Sequence, residues 1–345
     1  MKKRNLLIIT LLIINFSFAQ ENIGIKSEIK NIENFNIEEI KVSIEKSKTV
    51  KETNEEKIQL FGTLITPKND FDKILVIISG TGKITQIAHK YLTESLLTNN
   101  VGIFRFDKRG VGKSTGNYND DPQIYTNDFI SIYNEFKKSK SVANKKIGFL
   151  GHSLGAIVTI ETIENNIKPN FLIQWAPPIG KPREILKFQI KNGIKNYDNL
   201  IVGKTIDERI QAIDFANKLI DKYPNKNAWE LLKIGKKELK KTHIKKKAFS
   251  KYLMPDKIEF ARMDNTNTYN EIDFPTLVCV GENDILVDPI ASENSLKLID
   301  NYNIDFKSFN KLNHFFEEND SLNTNDWNIA ENTKRYIVEW IEQIQ

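Results

Sequence analysis

The sequence is poor in cysteine and histidine. Its 345 residues include one cysteine, Cys279, and four histidines. A single cysteine forms no intramolecular disulfide, and the two residue types do not recur at the spacing of a metal-binding set. We therefore expect neither a disulfide framework nor a metal site. A chain of this length can bury enough apolar surface to be stable without them, and Cys279, within an apolar run, should be a small buried side chain.

The sequence also lacks the overall hydropathy of a multi-span membrane protein. Its mean hydropathy is −0.42, and its 28% charged and 40% hydrophobic residues are usual for a soluble globular protein. The first twenty residues differ, with basic residues 2–4, an apolar run 6–14 and the small-x-small triplet 17–19. This pattern predicts a signal peptide over residues 1–19 and an exported protein, periplasmic or secreted, that begins at Gln20. An uncleaved anchor is the alternative, but the run is short for a membrane span.

Two stretches near the start alternate apolar and polar side chains, at residues 40–44 and 58–65. Alternation is typical of antiparallel strands, and the polar run 52–57 predicts a hairpin loop between them. Residues 73–78 form a continuous apolar run instead, as in a strand buried on both faces of a parallel sheet. The architecture is therefore expected to change near residue 73.

From that point, strand and helix patterns alternate along the chain. The predicted strands are 101–106, 147–150, 171–175, 274–280 and about 304–309. The predicted helices are about 86–98, 127–139, 154–165 and 290–299, with an amphipathic helix at the end marked by Tyr336, Ile337, Trp340, Ile341 and Ile344. This alternation predicts an α/β protein with a parallel sheet covered by helices.

One segment interrupts the alternation. Residues 181–265 show only helical periodicity and carry about twice as many basic as acidic residues. We interpret this segment as an inserted helical cap. The predicted domain organisation is a core formed by residues 20–180 and 266–345, divided by the cap at 181–265.

The stretch Gly151-His152-Ser153-Leu154-Gly155 joins a predicted strand to a predicted helix. Its G-x-S-x-G pattern is typical of a turn so sharp that larger side chains beside the serine would collide. Such a turn holds the Ser153 hydroxyl above the sheet, where it is available as a nucleophile. An ordinary glycine-containing loop with a capping serine is the alternative.

A serine nucleophile needs a base and a carboxylate that orients the base. The loops after the last two predicted strands contain Asp284 and His314. Because the carboxyl ends of parallel strands meet at one edge of a sheet, both should lie near Ser153. Asp288 is the next candidate for the acid, but it precedes Pro289 and is better explained as a helix N-cap. Glu282 is the last candidate.

The remaining histidines are weaker candidates for the base. His152 neighbours the serine in sequence, so its side chain should project away from the hydroxyl. His89 falls in a predicted helix and His243 in a lysine-rich stretch. For these two we expect a solvated or structurally satisfied imidazole.

Acyl transfer also needs backbone amides that stabilise a negative oxygen. Ser79-Gly80-Thr81-Gly82 follows the first buried strand. We expect Thr81 to supply one amide, with Gly80 or Gly82 as alternatives, and Leu154 to supply the second at the start of the helix. A plain glycine turn is the other interpretation.

A phosphate-loop pattern is incomplete. Residues 110–114 read G-V-G-K-S, but Asp107 stands where the first glycine of the motif is required. We therefore expect no nucleotide site.

Together these motifs resemble the α/β-hydrolase superfamily. The resemblance is carried by four stretches: 151–155, the turn 106–114 with its D-x-R-G-x-G-x-S pattern, 281–284 and 312–314. Within the superfamily the chain is similar to bacterial exported esterases and serine aminopeptidase-like hydrolases. The resemblance implies an α/β-hydrolase fold with a mostly parallel eight-stranded sheet and a cap after the sixth strand. It also implies Ser153 as nucleophile, His314 as base, Asp284 as orienting carboxylate, and no cofactor. The resemblance does not extend to the cap, so it does not identify the substrate.

The expected function is a serine hydrolase that cleaves a small-molecule carboxylic ester or acyl substrate through an acyl-enzyme. An aminopeptidase-type peptidase and a thioesterase or acyltransferase on the same fold are alternatives. The peptidase would need a carboxylate for the substrate ammonium group, and the basic cap offers no clear candidate. A non-catalytic binding protein is least favoured, because all three candidate catalytic residues are present.

The lysine-rich residues 233–251 contain few aromatic side chains, so no nucleic acid partner is expected. The basic cap favours anionic substrates or peripheral contact with a membrane surface instead. The sequence predicts neither the oligomeric state nor the acyl-chain length.

Overall fold

An eight-stranded sheet organises the chain in the computed structural model, which describes residues 29–45, 57–195, 201–242, 244, 248–318 and 327–345. The expected signal peptide, the expected hairpin loop up to residue 56 and His243 lie outside these residues. Across the described ranges, no helix has the length and apolar character needed to cross a membrane.

The strands are β1 (Phe35–Glu45), β2 (Lys57–Pro67), β3 (Lys73–Ile78), β4 (Val101–Phe106), β5 (Lys146–His152), β6 (Phe171–Trp175), β7 (Thr276–Gly281) and β8 (Ile304–Phe309). Their order is β1-β2-β4-β3-β5-β6-β7-β8. β2 is antiparallel to both β1 and β4, and the other neighbouring pairs are parallel. The predicted change from hairpin to parallel sheet, and the eight-stranded mostly parallel sheet itself, are confirmed.

The helices are α1 (Lys90–Thr98), α2 (Pro122–Phe136), α3 (Leu154–Glu164), α4 (Ile185–Lys191), α5 (Ile206–Lys222), α6 (Ala228–Glu238), α7 (Pro255–Arg262), α8 (Thr266–Asn270), α9 (Pro289–Ile299) and α10 (Glu331–Glu342). The predicted start of α2 near residue 127 is wrong, because the helix begins at Pro122. Asp121 caps it, accepting a hydrogen bond from the amide of Ile124. The Asp-Pro pair is the same start signal that the sequence carries at α9.

The continuous apolar strands are buried on both faces, as their sequences predict. Ile74, Val76 and Ile78 of β3 pack in one cluster with side chains of α2 and α3. Leu75 and Ile77 pack on the opposite face with side chains of α1 and α10. Cys279 is fully buried on β7, and burial raises the pKa of its thiol. The sheet is thus a central layer between two layers of helices.

Residues 181–265, with α4 to α7, lie between β6 and β7 and are called the helical insertion below. Their buried apolar side chains form a cluster separate from the two sheet clusters, which includes Leu186, Ile213, Leu219, Leu231 and Phe249. The helices of the insertion therefore stabilise one another largely through their own apolar faces.

Candidate active site

The turn between β5 and α3 is strained at Ser153. This residue has φ 55° and ψ −111°, a backbone conformation that L-amino acids rarely adopt. A β-carbon on Gly151 would lie 2.5 Å from the carbonyl oxygen of Gly155, and one on Gly155 would lie 2.1 Å from that of Ile78. The amide of Ser153 donates to the carbonyl of Trp175 on β6, at 2.9 Å. The glycines therefore allow strand, turn and helix to pack closely, with half-buried Ser153 at the carboxyl edge of the sheet.

His314 and Asp284 form a buried hydrogen-bonded pair. His314 Nδ1 lies 2.7 Å from Asp284 Oδ2, and the two side chains are 6% and 1% exposed. The other carboxylate oxygen, Oδ1, accepts hydrogen bonds from the amides of Leu286 at 2.7 Å and Val287 at 2.9 Å. One oxygen is thus fixed by the backbone of its own loop, and the second is directed at the imidazole.

The two other carboxylates of this loop have different partners. Asp288 accepts from the amides of Ile290 and Ala291 and caps α9, which is the role that Pro289 predicts. Glu282 accepts a hydrogen bond from the hydroxyl of Ser308 at 3.0 Å. Of the three candidates, Asp284 is the one that the structure brings to His314.

The serine is not hydrogen-bonded to the pair in this structure. Within the described part of the chain, Ser153 Oγ has no hydrogen-bond partner. The turn of Ser153 and the loop of His314 are nevertheless in contact, because the rings of His152 and His314 have their centroids 5.0 Å apart.

His152 supports the loop that carries His314. Its Nε2 lies 3.1 Å from the carbonyl oxygen of His314. Burial holds the pKa of His152 well below its usual value, so the neutral ring donates through Nε2–H. The other ring nitrogen, Nδ1, has no hydrogen-bond partner among the described residues. Sequence reasoning missed this bracing contact because the partner is 162 positions away.

His89 is buried, so of the two expected states, solvated or structurally satisfied, the solvated one is wrong. It precedes α1 in a left-handed conformation, and its ring packs against Trp175 and Trp327, with centroids at 5.3 and 4.3 Å. Neither ring nitrogen has a hydrogen-bond partner among the residues described. Burial, with a smaller contribution from the charge of Arg105, lowers the pKa of His89 to about 3. The ring is therefore neutral and packs among the aromatic rings of His152, Trp175 and Trp327, beside the turn between β5 and α3, which is called the elbow below.

The loop after β3 lies directly against the elbow. A β-carbon on Gly80 would be 3.3 Å from that of Ser153. The amide of Gly82 is already occupied, since it donates to Tyr118 Oη and Asp120 Oδ2, both at 2.9 Å. The amides of Gly80, Thr81 and Leu154 donate to none of the described residues. Gly80, Thr81 and Leu154 thus remain open donors, whereas Gly82 does not.

The turn after β4 folds around its own carboxylate. Asp107 accepts hydrogen bonds from the amides of Gln86 at 2.7 Å and Lys113 at 3.0 Å. Burial raises its pKa. A β-carbon on Gly112 would lie 2.4 Å from Asp107 Oδ2. In the D-x-R-G-x-G-x-S pattern, the aspartate therefore accepts a backbone hydrogen bond from the turn, and Gly112 leaves room for its carboxylate.

The sequence of residues 69–320 matches the model of a family described as serine aminopeptidase, S33. The chain belongs to this α/β-hydrolase family. No curated protein matches the chain in sequence. The similar solved structures are distant relatives, and at their identities the likeness concerns the fold alone.

One is an esterase from Pyrococcus furiosus, with 18% identity and a TM-score of 0.53, covering 89% of this chain and 91% of the other. A second is an esterase from Exiguobacterium antarcticum, with 16% identity and a TM-score of 0.50, covering 83% and 96%. A third is a peroxisomal α/β-hydrolase from Saccharomyces cerevisiae, with 13% identity and a TM-score of 0.52, covering 89% and 90%.

In this S33-family hydrolase the helical insertion contacts the loop of Asp284. Gln189 Nε2 on α4 donates to the carbonyl of Leu286 at 3.0 Å, and Asn192 Nδ2 donates to that of Ile285 at 3.3 Å. These carbonyls belong to residues 285–287, the same segment whose amides, those of Leu286 and Val287, donate to the Asp284 carboxylate. The position of the Asp284 carboxylate is therefore coupled to α4.

Two grooves border the insertion. One, of about 370 Å³, runs between α4 and α9 and includes Phe188 and Val287. The other, of about 640 Å³, lies within the insertion beside α5. Ser153 lines neither groove. In the described part of this hydrolase, no three histidine, cysteine, aspartate or glutamate side chains converge as metal ligands.

Proposed function

We propose that this hydrolase cleaves carboxylic esters through an acyl-enzyme formed on Ser153, with His314 as the base and Asp284 as the orienting carboxylate. The observation that carries the proposal is the buried 2.7 Å contact between His314 Nδ1 and Asp284 Oδ2, beside the strained elbow. A carboxylate in this position fixes the tautomer of the imidazole and leaves Nε2 free to accept a proton.

In the proposed reaction, Ser153 Oγ attacks the ester carbonyl carbon while its proton passes to His314 Nε2. Asp284 stabilises the imidazolium that forms. Collapse of the tetrahedral intermediate breaks the bond to the alcohol, which leaves with the proton from His314. Water then attacks the acyl-enzyme with the same base, and the acid is released as Ser153 regains its proton.

The negative oxygen of the intermediate needs donors on the side of the carbonyl away from the base. The amide of Leu154 is at the first position of α3, where a helix has no internal acceptor for it. Thr81 supplies the second amide in our proposal. The open amides in the loop after β3 support this assignment.

Charge pairing in the insertion favours an ester over an N-terminal peptide substrate. A peptidase that removes N-terminal residues needs a carboxylate for the substrate ammonium group. The groove carboxylates have protein partners instead. Lys187 Nζ lies 2.5 Å from Glu184 Oε2 and 3.0 Å from Asp214 Oδ1. Arg183 Nη2 lies 2.7 Å from Asp221 Oδ2. Thioesterase or acyltransferase activity would use the same acyl-enzyme with another leaving group or acceptor.

The test is reaction with a fluorophosphonate probe, followed by a substrate panel of short-chain nitrophenyl esters, acyl thioesters and aminoacyl-naphthylamides. We expect covalent labelling of the wild-type protein, none of Ser153→Ala, and fastest turnover of the esters. Ester hydrolysis that persists unchanged in Ser153→Ala would overturn the proposal. Faster turnover of the naphthylamides would replace esterase by peptidase.

Export with removal of residues 1–19 is proposed from the N-terminal pattern alone. Fractionation of cells that make the full chain, with mass analysis of the product, tests it. We expect a product that begins at Gln20 outside the cytoplasm. A full-length product retained in the cytoplasm contradicts export.

A further inference from the structure

A buried lysine contacts the loop that follows β3. Lys108 is the second residue after the end of β4 and follows Asp107. Its side chain is 1% exposed. Its Nζ donates to the carbonyl oxygen of Gly80 at 2.8 Å and to Asp120 Oδ1 at 2.9 Å. Lys108 therefore binds the peptide group that links Gly80 to Thr81.

The same group of side chains holds the other end of this loop. The amide of Gly82 donates to Asp120 Oδ2 and to Tyr118 Oη, and these two acceptors contact each other. Gly80 is thus held through its carbonyl and Gly82 through its amide. The amide of Thr81, between them, is left open.

Stability alone is a weak explanation for this lysine. Removing an ammonium group from water is costly, and replacing a buried ion pair by apolar side chains is often neutral or stabilising. Burial lowers the pKa of Lys108, with Asp120 opposing the shift. The aromatic rings of Tyr118 and Tyr125, at 5.4 and 5.3 Å from Nζ, would also pack against an apolar chain. The charge is therefore better explained by the peptide that it contacts.

The geometry points to Lys108 as a positioning residue for the oxyanion donor, acting with Asp120 and Tyr118. The carbonyl of Gly80 and the amide of Thr81 belong to one peptide group, and in a trans peptide they point in opposite directions. An ammonium group on the carbonyl fixes the plane of that peptide and polarises it, so that the Thr81 N–H becomes a stronger donor. This inference rests on the proposed acyl transfer at Ser153.

The same turn provides matched comparisons. Arg109 is also buried, but it pairs with Asp128 on α2 at 2.5 Å. Lys113 is exposed and pairs with Glu39 on β1 at 2.6 Å. Neither pair includes the loop after β3, so Lys113→Met removes a lysine from this turn without touching the loop.

The experiment compares Lys108→Met, Asp120→Asn and Lys113→Met in the full chain. Kinetics use a nitrophenyl ester, and inhibition uses a trifluoromethyl ketone, whose adduct with serine carries the oxyanion. For Lys108→Met we expect kcat to fall by about 10- to 100-fold, less than the loss of a whole oxyanion donor, with KM nearly unchanged. Affinity for the ketone should fall by a similar factor. Lys113→Met should match the wild type in both measurements.

Asp120→Asn should show the same selective loss to a smaller degree. Its side chain is 23% exposed, so it carries the test if Lys108→Met does not fold. The double variant should be no worse than Lys108→Met alone, because the two residues belong to one hydrogen-bonded group around the Thr81 amide.

Wild-type kcat and ketone affinity in folded Lys108→Met, or in Asp120→Asn where the first does not fold, would overturn the inference. A lower kcat with unchanged ketone affinity would also overturn it. Ser153→Ala, measured in parallel, separates this failure from failure of the proposed function. Activity that survives in Ser153→Ala would refute the proposed acyl-enzyme. An inactive Ser153→Ala together with a fully active Lys108→Met would refute only the proposed role of Lys108.

Discussion

The carboxyl edge of the sheet and the helical insertion use charge in opposite ways. At the edge, Asp284, His314 and Lys108 are almost fully buried, and each is held by specific hydrogen bonds. On the insertion, ion pairs such as Lys226–Glu230 join side chains that are 48% and 43% exposed. Exposed pairs contribute little to stability, whereas a buried charge that loses its partner is costly. Substitutions at the edge should therefore lower the rate of the reaction, and those on the insertion surface should be tolerated.

The largest effect is expected at the two residues proposed to exchange the proton. Ser153→Ala and His314→Ala should each lower kcat for an ester by about 10⁴-fold or more, and the double variant should be no worse than either. Steady-state kinetics of the three proteins test this. Multiplicative losses would mean that the two residues do not act as one unit.

Two neighbouring aspartates on one loop provide the next test. Asp284→Asn should lower kcat by about 10⁴-fold, because the amide no longer orients and stabilises the imidazolium. Asp288→Ala should keep kcat but lower the free energy of unfolding by about 1 kcal/mol, since it removes the N-cap of α9. Kinetics and urea denaturation of both variants measure this. The assignment of the acid is reversed if the Asp288 variant loses the activity.

Acid should destabilise the core through its buried imidazoles. The pKa of His89 is about 3 in the folded protein against a usual value of 6.5, so between these values the unfolded chain binds more protons. The free energy of unfolding should therefore fall as pH drops from about 6.5 toward 3, by about 1.4 kcal/mol per pH unit. The lowered pKa of His152 acts in the same direction. Denaturation at several pH values should show a smaller slope in His89→Asn. An unchanged slope would contradict this account of the buried ring.

A smaller effect is expected where the helical insertion contacts the loop of Asp284. Gln189→Ala removes the donor that α4 directs at Leu286. A hydrogen bond of this kind is worth about 1 kcal/mol, so we expect kcat to fall roughly fivefold through the loop of Asp284. Lys191→Ala, on the same helix, is the control. Equal rates for the two variants would mean that the insertion does not influence the acid.

The smallest effect is expected on the exposed face of α6, where Lys233 and Lys236 lie one turn apart with Trp229 nearby. Replacing both lysines by glutamate should change stability by less than about 0.5 kcal/mol. If the basic insertion attracts anionic substrates or a membrane surface, the replacement should change only how strongly the hydrolysis rate of anionic substrates depends on salt. Rates on anionic substrates that do not vary with salt, in both proteins, would exclude that contact.

The sequence predicted most of the elements because their signals are local. The bounds of β4 and β6 coincide with the predicted runs, and Asp288 caps α9 as Pro289 suggests. The start of α2 was missed although Asp121-Pro122 carries the same signal. The loops of Asp284 and His314 were predictable because each follows a recognisable strand, and parallel strands end at one edge.

The sequence by itself therefore determined the order of strands and helices, the glycine-permitted elbow at Ser153 and the order of the candidate catalytic residues. Only the tertiary structure decided that Lys108 contacts Gly80, that His152 supports the carbonyl of His314, and that His89 is buried without a described polar partner. The first of these contacts depends on the sheet order β4-β3-β5, because it places the loop after β4 beside the loop after β3. Periodicity and capping signals act over a few residues, whereas the partner of a buried polar group is set by which strand ends become neighbours.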